Sequence, residues 1–235
     1  MHTDKNLRIK NPCSNKTMET SMNLKKATLF TMIGILYIFL SRMLATFIPG
    51  FFANLLAAKT NALLSLLASV ASLLFYYLFY KEYFPGQKES LGRNQLMLKN
   101  AVLFAFIGSL AGTFLFLKGF LQIAANPGRA AGHGYFEIIA PWMSALFALF
   151  FYYAFSRSEK QKARNRLITA AYIALTGAGL AVMIRSYLLF EFAVHGKFSW
   201  LWNLTQGNPF VFLPLYLFMF FAGFYFFWRF YMELE

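Results

Sequence analysis

Six stretches of this chain are apolar almost without interruption for about twenty residues each, and this feature constrains the fold more than any other. An amphipathic helix of a soluble domain carries an apolar stripe on one side, whereas a helix that is apolar all round suits lipid. Because lipid cannot hydrogen-bond a bare backbone, each stretch must satisfy its own backbone as a helix. The sequence therefore predicts an all-α, polytopic membrane helix bundle.

Composition supports this prediction, because 59% of the 235 residues are hydrophobic and only 13% are charged. So few charges cannot cover a soluble globule of this size. Residues 1–26 are predicted to be a flexible basic cytoplasmic tail, and residues 27–235 a six-helix transmembrane domain. The segment 51–59 is too short to cross and is expected at the outer interface. The predicted spans are 27–47, 61–80, 100–124, 135–155, 167–190 and 209–231.

The placement of basic residues predicts the orientation of the chain. If the N-terminus is cytoplasmic, sixteen of the 22 Lys and Arg residues lie in cytoplasmic segments and three in outer segments. This asymmetry favours cytoplasmic N- and C-termini in the cell (inner) membrane. The net charge of +13 then arises from cytoplasmic segments, so we expect no nucleic-acid partner.

Three cations, Arg42, Lys118 and Arg185, lie inside predicted spans. Each is in an odd-numbered span about six residues from its outer end, which is roughly 9 Å at the helical rise. One interpretation is that each side chain extends separately to outer lipid phosphates. The other is that the three converge on a pocket that binds a small anionic ligand, since Arg grips an oxyanion with two donors and Lys adds a point charge.

A glycine-rich outer loop provides three further candidates, Arg129, His133 and Glu137. Backbone N–H groups of such a loop, next to the start of the fourth span, could contribute to binding an anion. Ordinary turn chemistry of Asn-Pro-Gly at 126–128 is the alternative. His133 and Glu137 are four residues apart and would share a helix face.

Similar segments suggest three helical-hairpin repeats. The residues Leu74 to Tyr77 reappear 76 positions later as Phe150 to Tyr153, and the same offset carries Arg42 onto Lys118. The abundance of aromatic residues near membrane interfaces is the alternative explanation. Small residues in the second, third and fifth spans predict that these lie at the bundle centre, and the Phe-rich fourth and sixth spans are expected to face lipid.

The sequence favours a non-enzymatic role without a cofactor or metal. Its single cysteine, Cys13, allows no thiolate cluster, and no hydrolase or metalloprotease motif is present. The leading hypothesis is binding or transport of a small anion. The second is a non-catalytic sensor or assembly subunit that acts through a partner membrane protein or a second copy of itself. A third is a lipid-modifying enzyme that uses His133 and Glu137.

Overall fold

The computed structural model describes residues 15–48, 54–84, 91–125, 135–159, 165–195 and 213–234. Within these segments the chain forms six helices and no strands, and each helix contains a part long and apolar enough to cross a membrane. The prediction of an all-α, six-span membrane protein is thus confirmed. The helices are α1 (Asn15–Phe47), α2 (Leu55–Tyr83), α3 (Arg93–Ala125), α4 (Tyr135–Glu159), α5 (Asn165–His195) and α6 (Leu213–Glu233).

The helices extend beyond several of the predicted spans. α1 begins at Asn15, so residues 15–26 of the predicted tail are helical, while residues 1–14 lie outside the described residues. α2 begins at Leu55, inside the segment expected at the interface, and Asn54 caps it by accepting a hydrogen bond from the Leu56 N–H at 2.9 Å. An apolar run marks only the lipid-crossing part of a helix, because the backbone ladder continues through polar flanking turns.

The six helices form a closed ring. Each helix packs against the next one along the chain, and α6 packs against α1. Neighbouring helices are antiparallel, so the N-terminus of α1 lies near the C-termini of α2 and α6. We call this end the basic end, because Lys25, Lys81, Arg93 and Arg157 lie there, and the opposite end the distal end.

A glycine in each odd-numbered helix brings it close to the following even-numbered helix. A Cβ atom added at Gly34 would lie 2.9 Å from the Cβ of Ala68, and one added at Gly177 would lie 2.8 Å from the Cβ of Ala222. A Cβ at Gly108 would lie 3.2 Å from the Cα of Ser144. The two helices of each hairpin therefore approach closely through small residues, as is common in membranes.

The buried residues of the odd-numbered helices recur with one spacing. We call Gly34, Gly108 and Gly177 the close-contact glycines. Each odd-numbered helix buries a leucine ten residues before its close-contact glycine, and it buries further residues seven, six and three positions before that glycine. The buried residues of α3 lie 74 positions after their counterparts in α1, and those of α5 lie 69 positions after their counterparts in α3. This is the pattern that three helical-hairpin repeats would produce. The buried sets are Leu24, Ala27, Thr28, Thr31; Leu98, Ala101, Val102, Ala105; and Leu167, Ala170, Ala171, Ala174.

The even-numbered helices meet in an aromatic cluster near the basic end. The cluster comprises two phenylalanines from each of these helices, all buried: Phe75, Phe79, Phe151, Phe155, Phe226 and Phe230. The rings of Phe79, Phe155 and Phe230 form a triangle with centroid separations of 6.1, 6.1 and 5.7 Å. The expectation that the fourth and sixth spans face lipid is therefore wrong for these residues. Their rings gain contacts with one another that lipid chains would not match.

Candidate functional site

Arg42 and Arg185 occupy the same level of the bundle. Each lies eight residues beyond the close-contact glycine of its helix, which is about 12 Å toward the distal end at the helical rise. Arg42 of α1 and Tyr216 of α6 both lie within electrostatic range of the Arg185 guanidinium group. Residues of α1, α5 and α6 therefore come together, and we call Arg42, Arg185 and Tyr216 the distal site.

Helix geometry places both arginines toward the middle of the ring. Arg42 lies eighteen residues after the fully buried Leu24, and Arg185 lies eighteen residues after the fully buried Leu167. Eighteen residues complete five helical turns, so each arginine shares the helix face of its buried leucine. In the ring, α6 separates α1 from α5, so the two arginines belong to helices that are not neighbours.

Lys118 lies on a different face of its helix. The position on α3 that corresponds to Arg42 and Arg185 is Phe116. Lys118 comes two residues later, and a step of two residues turns the side-chain direction by about 200° around the helix axis. Lys118 is exposed and lines a groove of about 400 Å³ together with the exposed Phe114, Leu117 and Leu121. The structure thus brings together Arg42 and Arg185, but places Lys118 among apolar residues that would face lipid.

The three loop candidates contribute little to the described site. Arg129 and His133 lie outside the described residues, and Glu137 is in the first turn of α4, where the structure describes the backbone but not this side chain. The other acidic residue near the distal end, Glu191, is buried and accepts a hydrogen bond from the Tyr187 hydroxyl at 2.9 Å. The described groups that act on the charge of Arg185 are Arg42 and Tyr216, and no carboxylate is among them.

The bundle is packed differently at its two ends. On α3 no residue beyond Gly108 is buried among those described, and on α5 none is buried between Gly177 and Glu191. Arg42 and Tyr216 are both exposed. The distal end is therefore less densely packed than the basic end, which the aromatic cluster fills.

A second set of aromatic contacts joins the even-numbered helices at the level of the aromatic cluster. In each contact, an aromatic residue of one even-numbered helix meets a cluster phenylalanine of another, edge to face. The centroid distances are 5.3 Å for Tyr76 with Phe151, 4.9 Å for Tyr152 with Phe226, and 4.9 Å for Phe227 with Phe75. These contacts follow one another around the ring, so the three even-numbered helices are joined symmetrically.

Two residues at the level of the distal site were not predicted from the sequence. Tyr216 carries no signal of its own in a chain with thirteen tyrosines, and Phe116 is one of thirty phenylalanines. The recurring Leu-Lys-x-Ala pattern of α1 and α3 could have identified Phe116 as the counterpart of Arg42.

Comparisons with known proteins find no match among protein-family models, curated protein sequences or solved structures.

Proposed function

We propose that this membrane protein binds or transports a small anionic ligand, which enters from the outer side and is held between Arg42 and Arg185. The observation that carries the proposal is that two arginines of non-adjacent helices lie at one level of the bundle and within electrostatic range of each other. The orientation predicted from the loops places the distal site toward the outside of the cell (inner) membrane.

Two positive charges near each other in a membrane span are unfavourable. Holding the partly buried Arg185 away from water costs on the order of 2.5–3.5 kcal/mol on insertion scales, and the nearby charge of Arg42 adds repulsion. Residues placed at such a cost are typically functional. An oxyanion between the guanidinium groups would remove the repulsion and would accept charge-assisted hydrogen bonds from both.

The sparser packing toward the distal end supports access of a ligand from that side. The aromatic cluster and the contacts of Tyr76 and Tyr152 block the axis of the bundle toward the basic end. A transporter would need to separate these rings during its cycle, whereas a binding protein or sensor would not.

The proposal can be tested by ligand-induced thermal stabilisation of the purified protein in detergent. Sodium acetate, phosphate and sulfate would be titrated at constant ionic strength, with chloride as the balancing anion. We expect at least one of them to stabilise the wild-type protein. Arg42→Gln and Arg185→Gln should each raise the half-saturating concentration of that anion at least tenfold, since each substitution removes charge-assisted hydrogen bonds.

Lys118→Gln provides the matched control, because it removes a cation at nearly the same depth from the exposed face of α3. The proposal is wrong if all three variants respond like the wild type, or if no anion stabilises any of them. Indifference to anions combined with stable co-purification of another membrane protein would support the non-catalytic, partner-dependent role instead.

A further inference from the structure

The level of the distal site departs from the threefold pattern of the odd-numbered helices. Arg42, Phe116 and Arg185 each lie eight residues beyond the close-contact glycine and eighteen residues beyond the buried leucine of their helices. All three positions therefore face the middle of the ring at the same height. Two of them carry a guanidinium group, and the third carries an aromatic ring that is partly exposed.

We propose, resting on the function proposed above, that the ligand is an amphipathic organic anion. Its carboxylate or phosphate group lies between Arg42 and Arg185, and an apolar group attached to it packs against Phe116. The site is thus built for a molecule with one charged side and one apolar side.

The residues at this level favour such a ligand over a simple inorganic oxyanion. A site for phosphate or sulfate alone would gain from a third cation at the symmetric position, because each additional cation strengthens the attraction to a compact multivalent anion. Phe116 contributes no charge and no hydrogen-bond donor. It offers a flat apolar surface, which an aromatic or aliphatic group covers with a gain in affinity.

Tyr216 completes an arrangement of two cations and two aromatic rings. Its phenol group lies within electrostatic reach of Arg185, and the residue is exposed near the distal end of α6. A hydroxyl beside the guanidinium groups can donate a further hydrogen bond to the anionic group. The charged part of the ligand is therefore assigned to the side of α1, α5 and α6, and the apolar part to the side of α3.

Matched pairs of probe anions test the assignment. Benzoate is compared with acetate, and phenyl phosphate with inorganic phosphate, by thermal stabilisation of the purified protein. We expect the aromatic member of a pair to half-saturate the wild-type protein at a concentration at least tenfold lower, as burial of a phenyl group predicts. Phe116→Ala should reduce this ratio to about twofold, because the phenyl group then loses the apolar surface that it covers.

Phe114→Ala is the matched control, because Phe114 lies on the same helix but on the exposed face that includes Leu117. It should retain the wild-type ratio, which separates site binding from partitioning of aromatic anions into detergent. Phe116→Leu keeps an apolar side chain and serves if Phe116→Ala does not fold. Phe116→Leu should weaken the preference for the aromatic member of each pair without abolishing that preference.

The outcomes distinguish this inference from the function on which it rests. If acetate or phosphate stabilises the protein through the two arginines but benzoate and phenyl phosphate are no better, the assignment of an apolar group is overturned and anion binding stands. If the aromatic preference survives Phe116→Ala, or is lost equally in Phe114→Ala, the assignment is also overturned. If none of the four probes binds, both proposals fail.

Discussion

Phe39 of α1 stacks on Phe220 of α6, with ring centroids 4.1 Å apart and planes inclined by 18°. The equivalent place between α2 and α3 is taken by a hydrogen bond of 2.6 Å between the hydroxyl groups of Ser69 and Thr113. Phe39 and Thr113 each lie five residues beyond the close-contact glycine of their helix. The contact that joins the last helix to the first thus uses the same position of its odd-numbered helix as a contact between successive hairpins.

A double-mutant cycle can measure how strongly the stacked pair closes the ring. Phe39→Ala and Phe220→Ala should be coupled by about 0.5–1.5 kcal/mol, because each substitution removes the partner that the other ring contacts. The free energy of unfolding would be measured in mixed micelles by titration with a denaturing detergent. The same cycle with Phe39→Ala and Phe218→Ala, at an exposed position of α6, should show no coupling. A coupling no larger than in this control would mean that α1 and α6 do not close the ring.

The close approach of α1 to α2 gives a second prediction. A Cβ atom at position 34 would lie 3.0 Å from the backbone Cα of Ala68, and backbone cannot move aside as a flexible side chain can. Gly34→Ala should therefore reduce the free energy of unfolding by about 1–3 kcal/mol, as overpacking does elsewhere.

Gly119→Ala supplies the comparison, because an added Cβ there meets nothing within 4 Å. Alanine is a better helix former than glycine, so this variant should be neutral or more stable by up to about 1 kcal/mol. Equal destabilisation of the two variants would contradict the packing described for α1 and α2.

The sequence was sufficient to predict the six helices because the signal was long and redundant. Twenty consecutive apolar residues cannot be confused with a soluble helix, and α4, predicted to start at Tyr135, begins there. The helix extensions were less predictable. Polar flanking residues such as those before Ala27 are compatible with helix or coil, and packing against neighbouring helices decides between them.

The site was only partly predictable because side-chain direction depends on exact register. An offset of 76 aligned Arg42 with Lys118, whereas the buried residues of α1 and α3 recur at an offset of 74 and align Arg42 with Phe116. The difference of two positions between these offsets turns the side-chain direction by about 200°, from the middle of the ring to the lipid face. Residues 24–34 and 98–108 share seven of eleven positions, so the correct register was available in the sequence but was masked by abundant aromatic residues.

The orientation of the chain is a prediction that the single cysteine can test. Cys13 belongs to the segment predicted to be cytoplasmic, so a membrane-impermeant maleimide should label it only after cells are permeabilised. In a Cys13→Ser background, Gly128→Cys in the predicted outer loop should be labelled in intact cells. The opposite labelling pattern would place the basic end outside and reverse the side from which a ligand reaches the distal site.

The repulsion between Arg42 and Arg185 predicts a gain in stability when one of them is neutralised. In a buffer of low ionic strength without oxyanions, Arg185→Gln should raise the free energy of unfolding by up to about 1 kcal/mol, because Arg42 is exposed and water screens part of the repulsion. Lys118→Gln, which removes a cation on a different face, should produce no comparable gain. Binding sites commonly trade stability for function in this way.

Salt provides an independent check of the same interaction. Raising the ionic strength with chloride screens exposed charges, so it should stabilise the wild-type protein more than Arg185→Gln. The difference should vanish when a bound oxyanion neutralises the pair, because the anion then supplies the missing countercharge. If Arg185→Gln is less stable than the wild type in every buffer, Arg185 makes a structural contact that the native fold needs, and the proposed anion site is contradicted.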